Sequence, residues 1–164
     1  AVADAITPAV LLEAMELTAE SLPWLGLPEG RLAVCGLNPH AGDGGVLGDE
    51  EIRVIAPAIA AAQSRGLRVT GPIAGDAVFH LAAEGRFDAV IAMYHDQGLA
   101  PLKLVGFDDG VNLTLGLPIV RTSPAHGTAF DLAGKGRASP RSLFSAIRLA
   151  ADLARRPSPW RSPS

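Results

Sequence analysis

Residues 31–37, Arg31-Leu32-Ala33-Val34-Cys35-Gly36-Leu37, form a short and nearly unbroken apolar run. A run that is apolar at every position, rather than at alternate ones, suits a strand covered on both faces, as in a parallel sheet. A glycine-rich loop over 38–48 follows it, and Asp49 is placed to cap a helix over 50–65 that Gly66 ends. Pro57 falls inside that helix and is expected to kink it.

The same alternation extends in both directions. Upstream, Thr7-Pro8 is a helix start, with a hydroxyl cap and a proline at the first helical position, for a helix over 9–22 that Pro23 stops. Downstream, strands are expected over 67–70 and 87–93 with a helix over 77–84 between them. Two more strands are expected over 111–115 and 119–122, and a last helix over 141–156 with Leu143, Ile147, Ala150 and Leu153 on one face. Strands alternating with helices predict an α/β fold. The simplest organisation is a single domain over 1–156 with a loose tail over 157–164.

Composition sets limits on function. Of 164 residues, 48% are hydrophobic and 19% charged, which supplies a core and excludes a disordered segment. A net charge of −3 argues against a nucleic-acid surface, and no apolar run approaches the roughly 18 residues that would suggest a membrane span. Cys35 is the single cysteine, so neither an internal disulfide nor a paired-cysteine metal site is available. Nothing at the start reads as a signal peptide, so the cytoplasm is the expected location. The chain begins at Ala1, with its first methionine at Met15, and does not read as a complete translation product.

In open α/β sheets ligands gather at the carboxyl ends of the strands, and polar clusters lie at or near such positions. His40 follows the strand over 31–37, in Asn38-Pro39-His40-Ala41-Gly42. His95 follows the strand over 87–93, in Tyr94-His95-Asp96-Gln97-Gly98. Neutral imidazole is a common zinc ligand, and two histidines at adjacent strand ends could share a metal. By residue type alone each also fits a histidine in an ordinary turn. Lys103, Asn112 and Arg121 stand nine residues apart in turn and include the cations that suit an anionic substrate; individually they also read as surface charges and a turn asparagine. His126-Gly127-Thr128-Ala129 opens a further helix pattern ending near Gly134, and His80 reads as structural or exposed.

The stretches NPHAGDGGVLGDEE (38–51), GPIAGDAVF (71–79), AMYHDQGLAPLK (92–103) and GVNLTLGLPIVRTSPAHGTAFDLAG (110–134), in this order, resemble the 4-hydroxythreonine-4-phosphate dehydrogenase (PdxA) family over nearly the whole chain. The resemblance implies a three-layer α/β/α fold with a mostly parallel sheet, like that of isocitrate and isopropylmalate dehydrogenases, of which this chain matches only the C-terminal half.

It also implies an activity: NAD-dependent oxidation and decarboxylation of 4-phosphooxy-L-threonine to 3-amino-2-oxopropyl phosphate, in pyridoxal 5′-phosphate biosynthesis. The family holds a divalent metal (zinc, cobalt or magnesium) on three histidines drawn from both subunits of a homodimer whose interface completes each site. His40 and His95 match two of these ligands, and the third belongs to a segment upstream of Val2. Lys103, Asn112 and Arg121 match substrate-binding positions, and His126, Gly127 and Thr128 are expected near the nicotinamide cofactor. No residue is assigned as the catalytic proton-transfer group.

With one metal ligand and the upstream substrate contacts missing, the chain alone is expected to be inactive. Two other readings remain at this point. One is a dehydrogenase of another phosphorylated four-carbon acid, such as 4-phospho-threonate or 4-phospho-erythronate. The other is a non-catalytic module that binds a ligand or dimerises.

Overall fold

A computed structural model of the chain describes residues 2–160. The chain divides into two compact units between Leu99 and Ala100.

The first unit is a doubly wound α/β layer. A short helix α1 (Val2–Ala5) precedes α2 (Pro8–Trp24), where the Thr7 hydroxyl accepts the Val10 N–H at 3.3 Å and Pro8 occupies the first turn. The helix does not stop at Pro23. It runs to Trp24 and is closed by Gly26 at φ +87°, with the Gly26 N–H donating to Pro23 O and the Leu27 N–H to Leu22 O. That 6→1 and 5→2 pair is a Schellman cap, and a proline in the last turn costs little because it removes only one donor near a helix end. Strand β1 (Leu32–Cys35) follows.

The helix expected over 50–65 forms in two parts. A single π-helical turn, Glu51–Ile55, leads into α3 (Ala56–Ser64), so Pro57 lies in the first turn of an α-helix rather than in its interior. Asp49 is not a side-chain cap; its carboxylate pairs with Arg53 at 2.7 Å. Gly66 ends α3 as expected. Strand β2 (Val69–Ile73), α4 (Gly75–Ala83) and β3 (Ala89–Ile91) complete the sheet.

The strand order is β2-β1-β3, with both pairings parallel; Leu32 stands opposite Val69 on one side and Ala89 on the other. All four residues of β1 are buried, as expected of a central parallel strand. Around them pack Met15 and Leu22 of α2, Ile55, Ala62 of α3 and Val78 of α4. The connection from β1 to β2 runs one way along the sheet, and that from β2 to β3 runs back across β1. Right-handed crossovers therefore put α3 and α4 on opposite faces, which gives three layers.

Helix α5 (His95–Gly106) carries the chain into the second unit. That unit holds an antiparallel hairpin, β4 (Val111–Thr114) and β5 (Arg121–Pro124), and the helix α6 (Arg141–Ala154) packed on it. The last strand begins two residues later than expected, leaving Ile119 outside it and exposed. The helix expected after His126 does not form. Between Gly127 and Gly134 there is only a single 3-10 turn, Phe130–Leu132, entered through Ala129 in the left-handed region at φ +46°.

On α6 the buried stripe is Ser142, Ala146 and Leu153, while Leu143 and Ile147, expected on the inner face, are exposed. The small residues lie inward because α6 sits close on the hairpin: Thr122 Oγ1 donates to Ala146 O at 3.0 Å, and Ser142 Oγ to Gly110 O at 2.6 Å. Of the tail expected over 157–164, residues 161–164 lie outside the described residues. No described helix is long and apolar enough to cross a membrane.

Candidate functional site

His40 and His95 leave the carboxyl ends of β1 and β3, which are hydrogen-bonded neighbours. In doubly wound sheets of order 2-1-3 the crossovers diverge at that pair of strands, and the crevice left between them is where ligands bind.

The segment carrying His40 is a left-handed turn. From His40 to Gly45 every φ is positive, including the non-glycine residues His40 (+53°), Ala41 (+52°) and Asp43 (+44°). Non-glycine residues in this region carry strain, which persists only where the surroundings over-determine the backbone. The buried Glu51, 3% exposed, holds the backbone that leads into this turn. Its Oε1 accepts the N–H of Leu37 at 2.7 Å and of Asn38 at 2.8 Å, and its Oε2 accepts Asn38 Nδ2 at 2.9 Å. Burial pushes the Glu51 carboxyl pKa up, but the hydrogen bonds from Asn38 and Leu37 outweigh it and leave the group below its ordinary value.

His95 begins α5 and is 74% exposed at its side chain. Its Nδ1 lies 2.7 Å from Asp96 Oδ1, so Nδ1–H donates to the carboxylate and Nε2 takes no part in that bond. A carboxylate behind a histidine is the usual support of a metal-ligating imidazole. His95 also rims an apolar cleft of about 490 Å³ with Tyr94, Met93 and the α2 residues Val10 and Ala14. Gln97, the third residue of α5, is turned back onto the sheet. Its Oε1 accepts the Met93 N–H at 2.7 Å, and its Nε2 donates to Gly36 O at 2.8 Å.

A divalent cation suits this donor set in kind, since both imidazoles are exposed and one has a carboxylate on its far nitrogen. The number of donors falls short. Among the described residues no group of three His, Cys, Asp or Glu side chains could hold a metal.

In the second unit, Asn112 and Thr114 alternate with Leu113 along β4, and Ser123 and Arg121 stand opposite them on β5. Strand periodicity therefore puts Asn112 and Arg121 on one face of the hairpin, the face away from α6. Arg121 Nη1 donates to Thr114 Oγ1 at 2.8 Å, which steers the guanidinium along that face. Lys103 is exposed on α5, and among the described residues no hydrogen bond or ion pair joins it to either. His126 and Gly127 line a cleft of about 370 Å³ with Phe107, Leu132 and Ser139, whereas Thr128 is not part of its wall. The His126 Nδ1–H donates to Gly127 O at 2.8 Å.

Sequence reasoning missed Glu51 and Thr114, and placed Gln97 only as a member of the polar cluster that follows the strand. The Glu50-Glu51 pair reads as ordinary helix-start charge, and only its burial separates Glu51 from its neighbour.

The chain is thus a doubly wound α/β protein with histidine-bearing loops at its strand ends and a polar hairpin bearing an arginine. Its residues 1–150 match the family described as pyridoxal phosphate biosynthetic protein PdxA, and the chain belongs to that family. It is similar to the 4-hydroxythreonine-4-phosphate dehydrogenase of Geobacter metallireducens, at 57% identity over 145 residues, 88% of this chain and 43% of that protein. The crystal structure of the enzyme of that name from Klebsiella pneumoniae superposes with a TM-score of 0.85 at 48% identity, over 94% of this chain and 47% of that one. A terephthalate 1,2-cis-dihydrodiol dehydrogenase from Burkholderia xenovorans superposes at 0.71 with 31% identity, over 92% and 48%. The chain spans less than half the length of each of these proteins.

Proposed function

We propose that the chain is part of a cytoplasmic, nicotinamide- and divalent-metal-dependent dehydrogenase. In this reading it oxidises 4-phosphooxy-L-threonine, with loss of carbon dioxide, to 3-amino-2-oxopropyl phosphate on the route to pyridoxal 5′-phosphate. The observation that carries the reading is the placement of two exposed imidazoles at the ends of neighbouring parallel strands, in a chain 57% identical to a relative of that name.

His40 and His95 are the metal ligands this chain supplies, and a third donor comes from outside the described residues. A bound divalent cation supplies Lewis acidity toward the substrate hydroxyl and the ketone that replaces it. Asp96 holds the His95 ring in the tautomer that leaves Nε2 free. Arg121 offers a planar fork to a carboxylate or phosphate, Lys103 a point charge, and Asn112 a neutral amide beside Arg121. His126 and Gly127, which line a cleft, and the adjoining Thr128 would hold a nicotinamide cofactor, which would supply the hydride acceptor.

The working form is a homodimer. The second unit offers such a contact the exposed apolar side chains of Leu104, Val105, Phe107, Phe144 and Ile147.

The test joins this chain to the part of the Geobacter metallireducens relative that it does not span, and follows NADH formation with 4-phosphooxy-L-threonine. Turnover is expected in the joined protein, loss of turnover in its His40→Ala and His95→Ala variants, and none from the chain alone. Turnover only with 4-phospho-threonate or 4-phospho-erythronate would move the substrate while keeping the enzyme class. Ligand binding without NADH formation would favour the non-catalytic reading.

A further inference from the structure

We propose that Thr114 is a positioning residue for Arg121: it fixes which edge of the guanidinium is offered to an anion and leaves the charge of that group uncompensated. The inference rests on the substrate reading of Arg121 above.

Thr114 and Arg121 stand directly opposite one another across β4 and β5. Thr114 is half-buried and β-branched, so its χ1 has little freedom and its hydroxyl stays where the strand puts it. Arg121 Nη1 donates to that hydroxyl at 2.8 Å. The type of partner separates Arg121 from other arginines of the chain. Arg31, Arg53, Arg65, Arg68 and Arg141 each face a carboxylate. Arg121 faces a neutral oxygen, and among the described residues its Nε and Nη2 make no hydrogen bond. A carboxylate would hold the arginine as well and cancel the charge that draws an anion. A hydroxyl holds it and cancels nothing.

Anchoring through Nη1 also selects the edge that remains. Nε–H and Nη2–H point the same way from the planar group, and two parallel donors match the two oxygens of one carboxylate or phosphate. Asn112 lies on the same face, diagonal to Arg121 across the ladder and roughly 7–8 Å from it, so a small anion between them meets both. An arginine already ordered in the free protein gives up less freedom when the anion arrives.

The test uses the joined protein described above with Thr114→Val, Thr114→Ser, Thr114→Asp and Arg121→Ala, each checked for folding by circular dichroism. Thr114→Val keeps the shape and removes the hydroxyl. Its KM for 4-phosphooxy-L-threonine should rise roughly 3- to 10-fold, the size of one lost neutral hydrogen bond, with kcat little changed. Thr114→Ser should recover most of that loss. Thr114→Asp should keep the arginine anchored yet raise KM as far as Arg121→Ala does. In an Arg121→Ala background Thr114→Val should add nothing, because Thr114 acts only through the guanidinium.

A merely structural role would add its penalty in either background. That additivity, or an unchanged KM in Thr114→Val, overturns the proposal. If Thr114→Val does not fold, Thr114→Asp decides, and a KM equal to the parent's overturns it. Competition by inorganic phosphate weakens in Thr114→Val if the fork holds the phosphate, and competition by acetate if it holds the carboxylate; weakening of neither overturns the proposal. A parent-like KM in Arg121→Ala, or no turnover by the joined protein, overturns the substrate reading and this proposal with it. An Arg121 penalty without a Thr114 penalty overturns this proposal alone.

Discussion

Arg31 and Asp88 clamp the starting edges of β1 and β3 together: Arg31 Nε and Nη2 reach the two oxygens of Asp88 at 3.1 and 2.8 Å, and the Arg31 N–H donates to the same carboxylate at 2.8 Å. This is the planar two-point pairing that arginine makes and lysine does not. Beside that guanidinium the Asp88 carboxyl is held down at about 2, against an ordinary value of 3.8. A lowered carboxylate contributes stability that is complete above 3.8 and disappears as the pH falls through about 2. An Asp88→Asn variant is therefore less stable than the parent at neutral pH. The gap closes between pH 3.8 and 2, as urea melts across that window will record.

Cys35 is fully buried in β1, and burial pushes its thiol up to about 11. At neutral pH almost none of it is thiolate, the form that reacts. The folded chain should leave a disulfide reagent such as DTNB untouched for as long as it stays folded, and release one equivalent of thiolate product on addition of denaturant. Rapid reaction in the native state would contradict the central position of β1.

Leu32 has no exposed surface and sits in the same strand between both helix layers. Leu32→Ala should cost roughly 2–5 kcal/mol, since the strand is hydrogen-bonded on both sides and cannot slide to fill the hole. Denaturant midpoints measure it.

Arg121→Ala and Asn112→Ala act on the outward face of the hairpin, which carries no packing against α6. Both variants should fold with unchanged circular dichroism. In the joined protein described above, Arg121→Ala should weaken phosphorylated substrate by roughly tenfold or more, the usual size of a lost hydrogen bond to a charged group. Arg121→Lys should restore only part of that loss, because the fork is gone.

If the homodimer reading holds, Phe144→Ser, at a residue 56% exposed, should shift sedimentation toward monomer and remove the concentration dependence of the melting temperature, with circular dichroism unchanged. A parent chain that sediments as a monomer at every concentration would count against the exposed apolar side chains serving dimerisation.

The alternation of apolar runs with helical patterns made the parallel sheet legible, and β1, buried at every position, is its clearest case. The helix ends were less so. Pro23 looked like a stop, but the Schellman bonds at Gly26 set the end, because a capped carbonyl matters more there than a missing N–H. The inner face of α6 was misread because apolar size was taken for burial, whereas close approach to the hairpin selects Ser142 and Ala146. His40 and His95 could be placed at strand ends from pattern alone. Gln97 could be placed there too but its partners could not, and Glu51 was not legible at all, since a buried polar side chain is recognised by its hydrogen-bond partners and not by its neighbours in sequence.

The two-residue period of β4 and β5 has a consequence for how such a protein diversifies. Positions 112, 114, 121 and 123 present outward, while 113 and 122 rest on α6. Point substitutions at the outward set leave the packing on α6 untouched, so under the proposed substrate role they can change ligand preference at little energetic cost. A one-residue insertion or deletion within either strand would turn that strand's outward residues inward, and in β5 it would bury the guanidinium. Divergence in ligand preference along this lineage should therefore proceed by replacement within a fixed frame, with length changes confined to the connection over 115–120.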